Sequence, residues 1–310
     1  MTSTVSLTNE NISKKMMKAL KVVNFISGKS LEEQELKKHR KIVEFAGKMA
    51  APKSDISINR FEVGTISCEE ITPDYAHNPK YAILYAHGGG YICGGLDYAR
   101  VLGAKLALST GFTTYTFDYG LAPENTYPTA LNDGMAIWEW LINDKYDSEH
   151  ILLAGDSAGG NLALCMAQRL LKDNCPMPKA LLLFSPWTDM TGTSKSYETN
   201  KDSDPILTKD YVMSAARAYV AENGELDDER FSPLFGNLAN LPPILVMAGK
   251  NGILLDDSVN LAKRIRAAGG NVQLDVEKKG WHVYQQMPVP IAGRAMKRLS
   301  KYVTSLIYGD

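Results

Sequence analysis

Apolar residues in this chain gather in short unbroken runs, and the stretches between them repeat their apolar positions every three or four residues. The runs at 81–86, 151–154, 180–184 and 244–248 each have the length of one strand, and 113–117 and 272–276 read as strands between them and the helices. The four apolar runs show no polar alternation, so each predicts a strand buried on both faces. The intervening segments 98–109, 129–143, 158–172, 256–268 and 291–306 have the spacing of amphipathic helices. Strand and helix in regular alternation predict an α/β protein with a mostly parallel sheet covered on both sides.

Four stretches depart from that rhythm. Residues 56–63 and 65–71 do alternate, as strands with one wetted face would. Residues 1–51 read as helical: Met16, Met17, Leu20, Val23 and Ile26 keep a near-helical spacing, and a charged helix follows over 31–49, ended by Pro52. Residues 188–240 contain a helix near 207–222 and no convincing strand. The expected organisation is an α/β domain over 52–187 and 241–310, with 1–51 and the insertion 188–240 forming one composite helical cap. Met16, Met17, Phe25 and Ile26 either line a pocket from that cap or pack its helices, and packing is the plainer reading.

The 310 residues include 34 Lys and Arg against 35 Asp and Glu, a net charge of −1. That balance gives no positive field for a nucleic acid, so none is expected as a partner. At 45% hydrophobic and 22% charged the composition is that of a folded globular chain. No apolar run approaches the roughly 18 residues of a membrane span. Residues 1–20 lack the apolar core of a secretory signal. Cys68, Cys93, Cys165 and Cys175 form no C-x-x-C pair, which points to reduced thiols and a cytoplasmic protein. No His, Cys or carboxylate spacing suggests a metal, and no cofactor is expected. A homo-oligomer is left open.

The chemistry is concentrated in two glycine-rich turns. Gly155-Asp156-Ser157-Ala158-Gly159 is a G-x-S-x-G segment between a predicted strand and a predicted helix. Small flanking residues allow a turn tight enough to hold the serine hydroxyl out of the sheet, at a helix N-terminus that favours negative charge. His87-Gly88-Gly89-Gly90-Tyr91 follows the strand at 81–86, and its glycines free backbone N–H groups to face a developing oxyanion. Both turns lie at carboxyl ends of strands, where open α/β sheets build their sites. A serine nucleophile needs a base. Of the five histidines, His39 and His77 are expected far from the strand tips, His150 lies at the wrong end of its strand, and His87 belongs to the glycine turn. His282, after the last strand, remains.

With these residues in place, the sequence resembles the hormone-sensitive-lipase branch of the α/β-hydrolase superfamily, from about residue 78 to the C-terminus. Besides the two turns, the resemblance rests on Asp118-Tyr119-Gly120-Leu121-Ala122-Pro123-Glu124, Ser185-Pro186-Trp187-Thr188-Asp189, Asp204-Pro205 and Leu254-Leu255-Asp256-Asp257-Ser258. It implies an eight-stranded α/β-hydrolase fold with a helical cap. It implies Ser157 as nucleophile and His282 as base, with oxyanion-hole N–H groups from Gly88, Gly89 and Ala158. The pattern is broken twice. Gly120 stands where the family usually has Arg. More seriously, Gly252 occupies the place of the acid that orients the histidine, four residues before Asp256. Loss of that acid costs serine proteases about four orders of magnitude. Asp256 or Asp257 on a rearranged loop, a migrated Asp189, or no acid at all remain open, with Asp256 the first choice.

The expected function is hydrolysis of small carboxylic esters with short acyl chains through an acyl-enzyme. The missing acid keeps two alternatives alive: a ligand-binding protein without catalysis, as in the plant gibberellin receptors that resemble this family, and a lyase using His282 as a lone base.

Overall fold

A computed structural model describes residues 33–309. Its centre is an eight-stranded sheet in the order β1-β2-β4-β3-β5-β6-β7-β8. The strands are β1 (Ile56–Val63), β2 (Ile66–Pro73), β3 (Ala82–Ala86), β4 (Thr113–Phe117), β5 (Ile151–Asp156), β6 (Ala180–Phe184), β7 (Ile244–Gly249) and β8 (Val272–Glu277). β2 runs antiparallel to both β1 and β4, and all other pairings are parallel. The helices are α1 (Glu33–Ala50), α2 (Leu96–Thr110), α3 (Thr129–Asp144), α4 (Ala158–Lys172), the one-turn α5 (Ser196–Thr199), α6 (Lys209–Val220), α7 (Leu255–Ala267) and α8 (Pro290–Tyr308).

Every residue of β3 to β7 is buried, as strands covered on both faces by helices are. Successive side chains still go to opposite faces. Leu84, Leu153, Leu183 and Val246 pack into one core with residues of α3, α4 and α7. Ile83, Leu152, Leu182 and Met247 pack into the other, with α2 and α8. The chain leaves β3 for β4 on one side and returns to β5 on the other. The strand order therefore reverses between β3 and β5, and the two glycine turns follow those two adjacent strands, with Ala86 paired to Gly155.

No strand occurs in 188–240, which holds α5 and α6. The predicted helix around residues 16–26, with the pocket residues suggested there, lies outside the described residues, as does the greater part of segment 1–51. The described part, α1, is fixed to the sheet domain. Arg40 donates to Ile92 O and Ala122 O, each at 2.7 Å, and to both oxygens of Glu124. Glu44 accepts from the N–H groups of Asp97 and Tyr98 at the start of α2. Gly47 lies so close to α2 that a Cβ there would come within 2.6 Å of Asp97 O and Tyr98 Cα. Among the described residues, no helix is long and apolar enough to cross a membrane.

Candidate active site

Ser157 sits at the turn from β5 into α4 with φ 54° and ψ −119°, a conformation that is strained for any residue with a side chain. The turn is this tight because Gly155 and Gly159 have no Cβ: one added to either would run into main-chain atoms of Gly159–Gly160 or of Ala86–His87, respectively. Three main-chain bonds lock it: Ser157 N to Phe184 O, Trp187 N to Ser157 O, and Asn161 N to Ser157 O.

His282 Nε2 lies 3.0 Å from Ser157 Oγ. The histidine loop is held against the ends of neighbouring strands: Val283 N donates to Ser185 Oγ at 3.3 Å, and Asn251 N to Gly280 O at 2.9 Å. From the far side, Lys105 Nζ donates to the carbonyls of Gln285, Gln286 and Met287. Burial pushes this ammonium down to about 8. His282 is 4% exposed. Burial alone drives its imidazole down to about 3, with no carboxylate acting against it, and its Nδ1 has no partner among the described residues.

The candidate acids are all engaged elsewhere. Asp256 Oδ2 accepts from Ser196 N at 2.9 Å, and Asp257 Oδ2 accepts from the N–H groups of Thr188 and Asp189. Asp189 Oδ1 accepts from Thr191. Asp256, the first choice from sequence, thus anchors α7 to α5, and the expectation that it orients His282 is corrected. The backbone beside His282 is that of Gly252, where a Cβ would lie 3.2 Å from His282 N.

One oxyanion donor also needs correction. Gly88 N donates to Asp156 Oδ1 at 2.8 Å, so it is not available to a substrate. Gly89 and Gly90 line the same cavity as Ser157 and His282, and their N–H groups make no hydrogen bond among the described residues. Asp156, which sequence reasoning passed over, is the hub of this arrangement. It is fully buried and also accepts from Tyr85, from Tyr98 Oη at 3.4 Å and from Gln286 Nε2 at 3.3 Å. It thereby ties the serine turn, the glycine turn and the histidine loop together. Burial lifts its carboxyl to about 6. A charged residue closing an all-apolar strand was the signal for it. His87 has a purely structural setting: it stacks on Tyr119, with Nδ1 2.7 Å from Gly88 O, and burial holds it neutral.

Ser157 and His282 open into a cavity of about 170 Å³. Its walls include His39 and Val43 of α1 and Tyr211, Val212 and Ala215 of α6. His39, expected far from the strand tips, is therefore at the site, with Nε2 3.3 Å from Tyr211 Oη. Trp187 and Leu254 complete an apolar lining. Among the described residues, no group of three or more His, Cys or carboxylate side chains is placed to hold a metal.

Residues 83–286 match the family described as the α/β hydrolase fold. The chain is 34% identical over 226 residues to an esterase of Acinetobacter venetianus, covering 72% of this chain and 75% of that protein. It is 31% identical over 252 residues to an ethyl acetate hydrolase of Pseudomonas putida, covering 78% and 79%. Among solved structures, an esterase from the bacterial hormone-sensitive lipase family superposes with a TM-score of 0.89 at 30% identity, over 96% of this chain and 98% of that one.

Proposed function

This chain is a carboxylic ester hydrolase of the α/β-hydrolase family, on its hormone-sensitive-lipase branch, and from that premise we propose that it cleaves short-chain acyl esters with Ser157 as nucleophile. The observation that carries this reading is the 3.0 Å approach of His282 Nε2 to Ser157 Oγ at the floor of the cavity. Ser157 Oγ attacks the ester carbonyl as its proton passes to His282 Nε2. The oxyanion is held by the N–H groups of Gly89, Gly90 and Ala158, the last at the positive end of α4. His282 then gives its proton to the leaving alcohol. Water deacylates the serine by the same route, again with His282 as base.

The size of the cavity supports small acyl groups, and its apolar lining supports a neutral ester over a charged one. With Nδ1 of His282 unpartnered, protonation of the imidazole in the transition state is poorly stabilised. Hydrolysis is accordingly expected to be slow for this fold. The described part of segment 1–51 and segment 188–240 are assigned to one composite cap, supported by α1 and α6 facing the same cavity. The assignment of Ser157 is tested by treatment with an organophosphate. Labelling at Ser157, with loss of p-nitrophenyl acetate hydrolysis in Ser157→Ala, is the expected result. Labelling at another serine with Ser157→Ala fully active would end it.

A further inference from the structure

A histidine that works as a base needs its second nitrogen held, because that bond fixes the tautomer and stabilises the imidazolium. His282 Nδ1 is buried and unpartnered. Next to the main chain of this residue, a Cβ on Gly252 would meet His282 N at 3.2 Å, His282 Cα at 3.5 Å and Gly249 O at 3.5 Å. All three are main-chain atoms, and no side chain stands among the nearest neighbours of that position. Two residues on, Leu254 forms the N-cap of the 13-residue helix α7 without a side-chain cap bond. Its N–H makes no hydrogen bond among the described residues. Two residues is the spacing at which an Asx carboxylate accepts from the backbone. The glycine thus lies against the backbone of a histidine whose Nδ1 lacks an acceptor, and two residues before a main-chain N–H that also lacks one, at the positive end of a helix.

We infer that this position binds a small monocarboxylate from solution, of formate or acetate size, which accepts from His282 Nδ1–H and Leu254 N–H and serves as the orienting acid. The inference rests on the reading of Ser157 and His282 given above. The anion enters and leaves unchanged, so no bond to it is made or broken. Two carboxylates work against it: Asp204, whose Oδ2 accepts from Ile253 N at 2.8 Å, and Asp256 on the first turn of α7. Binding should therefore be weak, with half-maximal effect at roughly 10 mM or above. The acid released from each short-chain ester belongs to the same chemical class, so product should speed the reaction.

The experiment measures kcat/KM for p-nitrophenyl butyrate with 0 to about 200 mM sodium formate, ionic strength held constant with sodium chloride. A saturable rise of roughly tenfold with formate and acetate, and none with chloride or benzoate, is expected. Gly252→Glu should show a higher basal rate and no formate response. Gly252→Ala, a milder change, should blunt the response without supplying an acid. A downfield Nδ1–H proton signal from His282 should appear on adding formate to the wild type. If formate leaves both rate and spectrum unchanged, or accelerates Gly252→Glu as much as wild type, the site does not exist. Ser157→Ala separates the two readings. Should that variant hydrolyse ester as well as wild type, the catalytic assignment fails; should it be inactive while formate does nothing, only the carboxylate site fails.

Discussion

Asp156 shows how one buried charge sets the register of a site. Of the three glycines in the turn after β3, Gly88 is bound to its Oδ1, which leaves Gly89 and Gly90 facing the cavity. The motif was legible in the sequence, but the choice among the glycines was not, because it depends on a carboxylate 68 residues away. Asp156 also carries a pH signature. Its carboxyl is lifted from 3.8 to about 6 in the fold, so between those values the folded protein binds a proton that the unfolded chain has lost. Stability from this group is therefore full below pH 4 and falls as pH rises towards 6, by about 3 kcal/mol for a shift of two units. Asp156→Asn keeps an oxygen for Tyr85 and Gly88 and has no charge to desolvate. Denaturant titrations should show the stability of the variant relative to wild type rising between pH 4 and 6 and then levelling off. A difference that stays flat across that range would mean the carboxyl does not titrate there.

At the level of elements, the apolar runs, and alternation for β1 and β2, located every strand to within two or three residues, but β8 is not buried on both faces as β3 to β7 are: after Val272 its residues are all partly or fully exposed. The order of strands was not legible, because it depends on which side each helix crosses. The one-turn α5 left no periodic trace. His39 was misplaced for a related reason: nothing in its local sequence says that α1 folds back over the strand tips. α1 and α6 form part of the wall of the cavity, and under the proposed function that wall limits how much acyl chain fits. Val212→Ala on α6 should widen the cavity by about two methyl groups. The ratio of kcat/KM for hexanoate over acetate p-nitrophenyl esters is expected to rise roughly tenfold, the effect of a methylene or two in an apolar pocket. An unchanged ratio would place the acyl group elsewhere.

For the whole molecule, α1 links a terminal segment to the chemistry. Its place depends on Arg40, on Glu44 and on the bare backbone of Gly47, where α1 meets α2. Gly47→Val puts carbon atoms where Asp97 O and Tyr98 Cα already are, and overpacking of this kind typically costs 1–3 kcal/mol. Because both obstacles are backbone, α1 should lift as a unit and take His39 and Val43 away from the cavity. Limited proteolysis should then cut near residues 51–54 at protease levels that spare wild type. Esterase activity should fall with it while the core keeps its far-ultraviolet spectrum. If both digestion pattern and activity match wild type, α1 has another way to seat.

The left-handed backbone of Ser157 has a consequence for anyone who breeds this protein for endurance. A glycine would adopt φ 54° without strain, so a position where folding stands to gain from a single replacement is also the one proposed to carry the reaction. A screen that rewards only survival on heating will tend to collect sturdy, inert descendants. Heat and turnover have to be selected in the same round.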